Sequence, residues 1–131
     1  MAIAYSWGRV MFGFNFATIP ANAVINKVTL CYRRANNDSS GDYEYVTAVE
    51  ISSTVYYSAE LGGSTSWTDV EVDWTQNPAT SSAWKRSDLD SATFGFEIGS
   101  DDRNKTTIPK VSKFWVKVDW DLPTGGGAIM F

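Results

Sequence analysis

The chain contains no histidine, and that absence removes a large part of enzyme chemistry. Without imidazole there is no Ser-His-Asp triad, no Cys-His pair, none of the usual zinc ligand sets and not the commonest general base. Cysteine is nearly missing as well. Cys31 stands alone and cannot close an intrachain disulfide, which predicts folding in a reducing compartment or without dependence on oxidation. Basic charge is short: 11 Lys and Arg against 15 Asp and Glu leave a net charge of −4. That balance disfavours nucleic acid as a partner, since counterion release needs a basic face. No apolar run approaches the ~18 residues of a membrane span, so no membrane insertion is expected. The opening MAIAYSWGRV has neither a basic n-region nor a long apolar stretch, and no secretory leader is expected.

What the chain does have is apolar and aromatic surface. Of its 131 residues 44% are hydrophobic, and six Trp, six Tyr and seven Phe are among them. The length fits about one domain, at roughly 100–200 residues each. The side-chain period is two almost throughout. Val10, Phe12, Phe14 and Phe16 alternate with Arg9, Met11, Gly13 and Asn15 over 9–16. In 24–33, Val28, Leu30 and Tyr32 fall on one face and Lys27, Thr29, Cys31 and Arg33 on the other. Ala92, Phe94, Phe96 and Ile98 form a third series, and Phe114, Val116, Val118 and Trp120 a fourth. Runs at 45–51, 54–57 and 67–74 add three more strands.

Turn residues separate the runs: Ile19-Pro20-Ala21-Asn22-Ala23, the polar stretch 36–42, Gly62-Gly63-Ser64 and Asn77-Pro78. The fold class expected is all-β: an antiparallel β-sandwich, jelly-roll-like, with one short helical turn near 83–91. Ser82 or Ser87 is the expected N-cap of that turn. Residues 1–122 are expected to form the single sandwich domain, and 123–131 a Gly-rich C-terminal arm. Gly125-Gly126-Gly127 reads as a hinge, and Ile129, Met130 and Phe131 beyond it read either as a frayed end or as an assembly arm docked on a neighbouring subunit.

No set of residues points to catalysis, a cofactor or a metal. Asp69, Glu71 and Asp73 alternate with Val70 and Val72, so they project from one face together with Trp67. Three carboxylates in a row can bind calcium or supply an acid/base pair. The simpler reading is a solvated face neutralised by a neighbouring strand, with Lys113 and Lys117 as candidates. Asp38, Ser40, Asp42 and Glu44 around Gly41 do not match an EF-hand loop. Asp101-Asp102-Arg103-Asn104-Lys105 reads as a mixed-charge loop, and the sequons at Asn37 and Asn104 read as chance matches. A glycosidase would need two acids facing across a cleft, which these scattered carboxylates do not suggest. Aromatics outside the core series are the better binding candidates. Trp67 and Trp115 share faces with charged residues, and Tyr56-Tyr57 must send one ring to each side. Such rings stack on sugars or sit in protein interfaces, unless they only pack under loops.

Two segments carry a resemblance. One is Phe14-Asn15-Phe16-Ala17-Thr18-Ile19-Pro20-Ala21-Asn22-Ala23-Val24-Ile25; the other runs from Trp84 through Leu89 to Phe94-Gly95-Phe96. They are followed by the closing strand Val116-Lys117-Val118-Asp119-Trp120. In this order they resemble the jelly-roll-like β-sandwich modules of bacteriophage and prophage virion proteins and the related carbohydrate-binding modules of bacterial surface proteins. The resemblance covers roughly 9–120 and lies in fold-forming segments, so no binding residue carries over from it. It implies a non-enzymatic phage virion structural protein, assembled in the host cytoplasm and attached to a protein lattice, with glycan contact through loops in many members. A chain standing alone from Met1 favours a capsid decoration or tail accessory subunit over a tail fibre. The expected partners are other virion protein subunits, further copies of the chain in a homo-oligomer, and a cell-surface glycan. The alternative is a carbohydrate-binding module for cell-surface glycans.

Overall fold

The computed structural model describes residues 5–36, 43–62, 66–100, 109–123 and 125–131, with side chains for 8–35, 44–61, 66–99, 110–123 and 131. Alternation becomes strand wherever the sequence is most regular. The strands are β1 (Tyr5–Phe12), β2 (Val24–Asn36), β3 (Tyr43–Ile51), β4 (Thr54–Tyr57), β5 (Leu61–Gly62), β6 (Thr68–Trp74), β7 (Ala92–Ser100), β8 (Pro109–Leu122) and β9 (Gly125–Met130). One helix, α1 (Arg86–Asp90), joins β6 to β7.

The strands form two antiparallel sheets. In the first the order is β1-β7-β3-β4, with β5 also paired to β3; in the second it is β6-β2-β8-β9. The chain crosses between the sheets at most connections, which gives the expected all-β sandwich its jelly-roll-like interleaving. Contacts between the sheets fix which strands face each other. Phe96 of β7 lies 5.8 Å from Phe114 of β8, ring to ring. Tyr45 of β3 stacks on Tyr32 of β2 at 6.0 Å. Trp74 Nε1 of β6 donates to Thr47 Oγ1 of β3 at 3.0 Å.

Val28, Leu30, Val49, Phe94, Val116 and Val118 make the middle of the core. Its closed end is built by the two segments singled out in the sequence. Phe16, Ile19, Ala23 and Ile25 are buried there with Trp84 and Leu89. The Ile19 amide donates to the Phe16 carbonyl and the Ala23 amide to the Pro20 carbonyl, so two successive tight turns carry the chain from the first sheet to the second. Trp84 Nε1 donates to the Trp74 carbonyl at 2.8 Å, which keeps the indole satisfied while its ring fills the core.

Three local expectations need correction. β1 stops at Phe12 rather than running to Phe16, because Gly13 to Phe16 leave the sheet to enter the first turn. Val10 and Phe12 are 43% and 39% exposed, since β1 is an edge strand that only partly overlies the opposite sheet. The helical turn is capped by neither Ser82 nor Ser87. Lys85 is the N-cap, and the Asp88 carboxylate accepts its amide proton at 2.8 Å, as the third helical residue does in a capping box.

The tail is not a free arm. Gly125–Met130 pair with Leu122 to Lys117 as an edge strand, and Phe131 exchanges both backbone hydrogen bonds with Val116. The Phe131 ring meets Phe16 edge-on at 5.0 Å. Ile129 and Met130 take register positions opposite Val118 and Lys117. The tail thus satisfies backbone groups that a glycine hinge would leave in water. Asp38, Ser40, Asp42, the 101–105 stretch and both sequons lie outside the described residues.

Candidate functional site

The outward face of the second sheet is built by the residues that alternate with the core. β2 lies between β6 and β8, with Cys31 opposite both Glu71 and Trp115. The acidic row of β6 therefore faces β2 first, not β8. Arg33 Nη1 donates to Asp69 Oδ1 at 3.0 Å. Lys27 Nζ donates to Asp73 Oδ2 at 3.3 Å, and Thr29 Oγ1 to Asp73 Oδ1 at 2.7 Å. Of the two lysines expected opposite the row, Lys117 reaches over β2 to pair with Glu71. Lys113 instead places its ammonium over the Trp115 ring, 4.7 Å from the centroid.

Each carboxylate of the row thus has a cation on it. The Thr29 hydroxyl, then Lys27, holds the Asp73 carboxyl below its ordinary range, and the bond to Glu71 raises the Lys117 ammonium above its own. Cys31 lies in this face yet is fully buried. Burial first, and the Glu71 charge second, push its thiol up to about 11, which makes it a poor nucleophile. At the far end Asn26 sits in a β-bulge and donates from one amide nitrogen to Asp119 at 3.1 Å and Asp121 at 2.9 Å. Among the described residues no group of three or more His, Cys, Asp or Glu has the arrangement of a metal site.

The four aromatic candidates do not converge. Trp115 lies on this face opposite Cys31, half-buried. Trp67, one step before β6 in the same alternate series as the acids, is 44% exposed. Tyr57 belongs to the outward face of the first sheet. Its hydroxyl accepts from Arg9 Nη1 at 2.8 Å and donates to Glu97 Oε1 at 3.2 Å. The ring thereby spans from β4 across β3 to β7 and β1, over Ala48, which is fully buried. The same bond raises the Arg9 guanidinium above its ordinary value. Glu97, only 6% exposed, is the buried carboxylate that the alternation did not single out. Its position between Gly95 and Gly99 on the outward series of β7 was the available signal. Tyr56 takes the opposite face of β4, toward the interior of the sandwich. Trp67 and Trp115 therefore share one surface, while Tyr57 is a strap on the other.

Comparison with protein-family models, curated proteins and solved structures gave no match to this chain.

Proposed function

We propose that the chain is a non-enzymatic structural subunit of a phage virion, a capsid decoration or tail accessory protein that attaches to a protein lattice. The observation that carries this reading is where the two resembling segments lie. Phe16, Ile19, Ala23, Ile25, Trp84, Leu89, Ala92 and Phe94 all belong to one core cluster, so the segments that resemble virion modules are ones that build the sandwich. The pairing of Asp69, Glu71 and Asp73 with Arg33, Lys117 and Lys27 supports a surface that binds rather than reacts, because a general acid or base needs a carboxylate poised to exchange a proton. The test is co-sedimentation of the purified chain with phage particles from an infected culture. A fixed stoichiometry with the major head or tail protein is expected, and an empty particle fraction sinks the proposal.

A second reading, a module for cell-surface glycans, is favoured by Trp115 and Trp67 on one charge-rich face. Sugar C–H faces stack on such rings while neighbouring charges bond hydroxyls. A glycan array on the native chain and on Trp67→Ala, Trp115→Ala and Tyr57→Ala tests it. Binding lost in the two Trp variants and kept in Tyr57→Ala promotes this reading. Signal unchanged in all three removes it.

A further inference from the structure

The two sheets are unequally filled at one corner. β7 faces β8, so β1, next beyond β7, overlies the column that β9 occupies next beyond β8. β9 fills only part of that column. It pairs with β8 from Leu122 to Lys117, and Phe131 closes the ladder at Val116. From Trp115 back to Pro109, β8 has β2 on one side and, among the described residues, no strand on the other. Val10 and Phe12 hang over this side, and their exposure follows from what is missing beneath them. Phe12 does aim inward, since its ring stacks on Phe114 at 5.4 Å, and Val10 is two residues away on the same face. Among the described residues an unpaired backbone edge and an apolar roof thus meet in a slot one strand wide.

We propose that this slot is the seat of an added β-strand supplied by a partner protein, an extended segment with apolar residues at alternate positions and acidic residues between them. The seat offers what strand addition uses: backbone donors and acceptors on an unpaired edge, and contacts for every second side chain. Its width selects a single strand. A folded neighbour entering by its own sheet edge brings a covering layer that collides with β1. A second copy of this chain entering by its own β8 edge meets the same obstacle, because its β7 and β1 lie over that edge. Inward residues of the guest meet Val10, Phe12 and Phe114. Its outward residues run beside Lys110 and Lys113, both exposed, and opposite charges across neighbouring strands attract. The proposal rests on the lattice-attachment reading for the source of the strand, and it names how that lattice holds the subunit.

The probe is an acetylated, amidated nine-residue peptide of alternating Val and Glu, with a scrambled peptide of the same composition as control, added to the full chain. Hydrogen exchange is read amide by amide. Protection over 110–115 is expected with the alternating peptide and not with the scrambled one. Val10→Lys, at a site already exposed, is expected to leave thermal unfolding unchanged and weaken the peptide about ten-fold, the scale set by burying one Val side chain. Equal protection by both peptides, no protection by either, or undiminished binding to Val10→Lys overturns the proposal. Self-association of the full chain that Val10→Lys abolishes also overturns it, by giving the seat to a second copy. Co-sedimentation with particles separates the two readings. A chain that takes the peptide but no particle sinks the virion reading alone, and a Val10→Lys chain that still binds particles normally sinks the seat alone.

Discussion

The guanidinium of Arg86 donates to the backbone carbonyl of Phe16 at 2.8 Å, across 70 residues of sequence. Its Nε donates to the Ile19 carbonyl at 3.0 Å and its other terminal nitrogen to Asp90 at 2.9 Å. One nearly buried side chain thus ties the turn that leaves the first sheet to the helix that closes the core. Arg86→Ala is expected to lower unfolding free energy by about 2–4 kcal/mol, the scale of two charge-assisted hydrogen bonds lost with carbonyls left unpaired. Arg86→Lys should recover less than half, because one ammonium cannot reproduce the planar fork. Urea denaturation of the three proteins checks both.

At Gly95 the backbones of β7 and β1 come so close that an added Cβ would lie 1.8 Å from the Val10 carbonyl oxygen. That contact accounts for the glycine between Phe94 and Phe96. Gly95→Ala is expected to push β1 off the sheet rather than to be absorbed, since the obstacle is main chain. Hydrogen exchange should show β1 amides losing protection while those of β2 and β8 keep theirs. Uniform protection would contradict it.

The β3–β4 hairpin turns through Ser52 and Ser53, both at positive φ, 51° and 66°. Two-residue hairpins of this kind favour Asn-Gly, and left-handed backbone costs an ordinary residue roughly 1–2 kcal/mol. Replacing the pair by Asn-Gly is expected to stabilise the fold by about 1 kcal/mol and raise the Tm by several degrees. Thermal melts followed by circular dichroism decide it.

Burial raises the Cys31 thiol to about 11, which makes stability depend on alkaline pH. In that window the folded state holds a proton that the unfolded chain has released, so stability is full below about 9 and declines toward about 11. Cys31→Ala should flatten this decline in urea titrations. Asp73 acts in the opposite direction, because its folded value is lowered. Its contribution is present above the ordinary carboxylate range and fades as pH falls through the lowered value, and Asp73→Asn should remove that acid-side slope.

The strands were legible because a half-buried sheet writes its period into the chain. Val28, Leu30 and Tyr32 could be assigned to one face without any knowledge of their neighbours. Strand order is not written that way. The acidic row of β6 asked for cations, and of Lys113 and Lys117 only Lys117 reaches it, at Glu71, because β2 intervenes and supplies Arg33 and Lys27 to the other two carboxylates. Arg86 read as one more charged residue in a short helical turn, since the carbonyls it holds carry no sequence signal. One ring of Tyr56-Tyr57 had to point outward, but nothing marked Tyr57 as a strap, because Glu97 and Arg9 reach it only through the sheet. The tail misled for a related reason: strand signals are counted on side chains, and glycine has none.

That last point bears on how β9 comes to be aligned. Its first three residues offer nothing by which one alignment along β8 could be told from another two residues away. What marks the observed alignment lies at the other end, where the Phe131 ring sits edge-on against Phe16 at 5.0 Å. β9 is therefore set from its far end, like a ruler positioned by a single pin, and it should be the last element to settle as the protein folds.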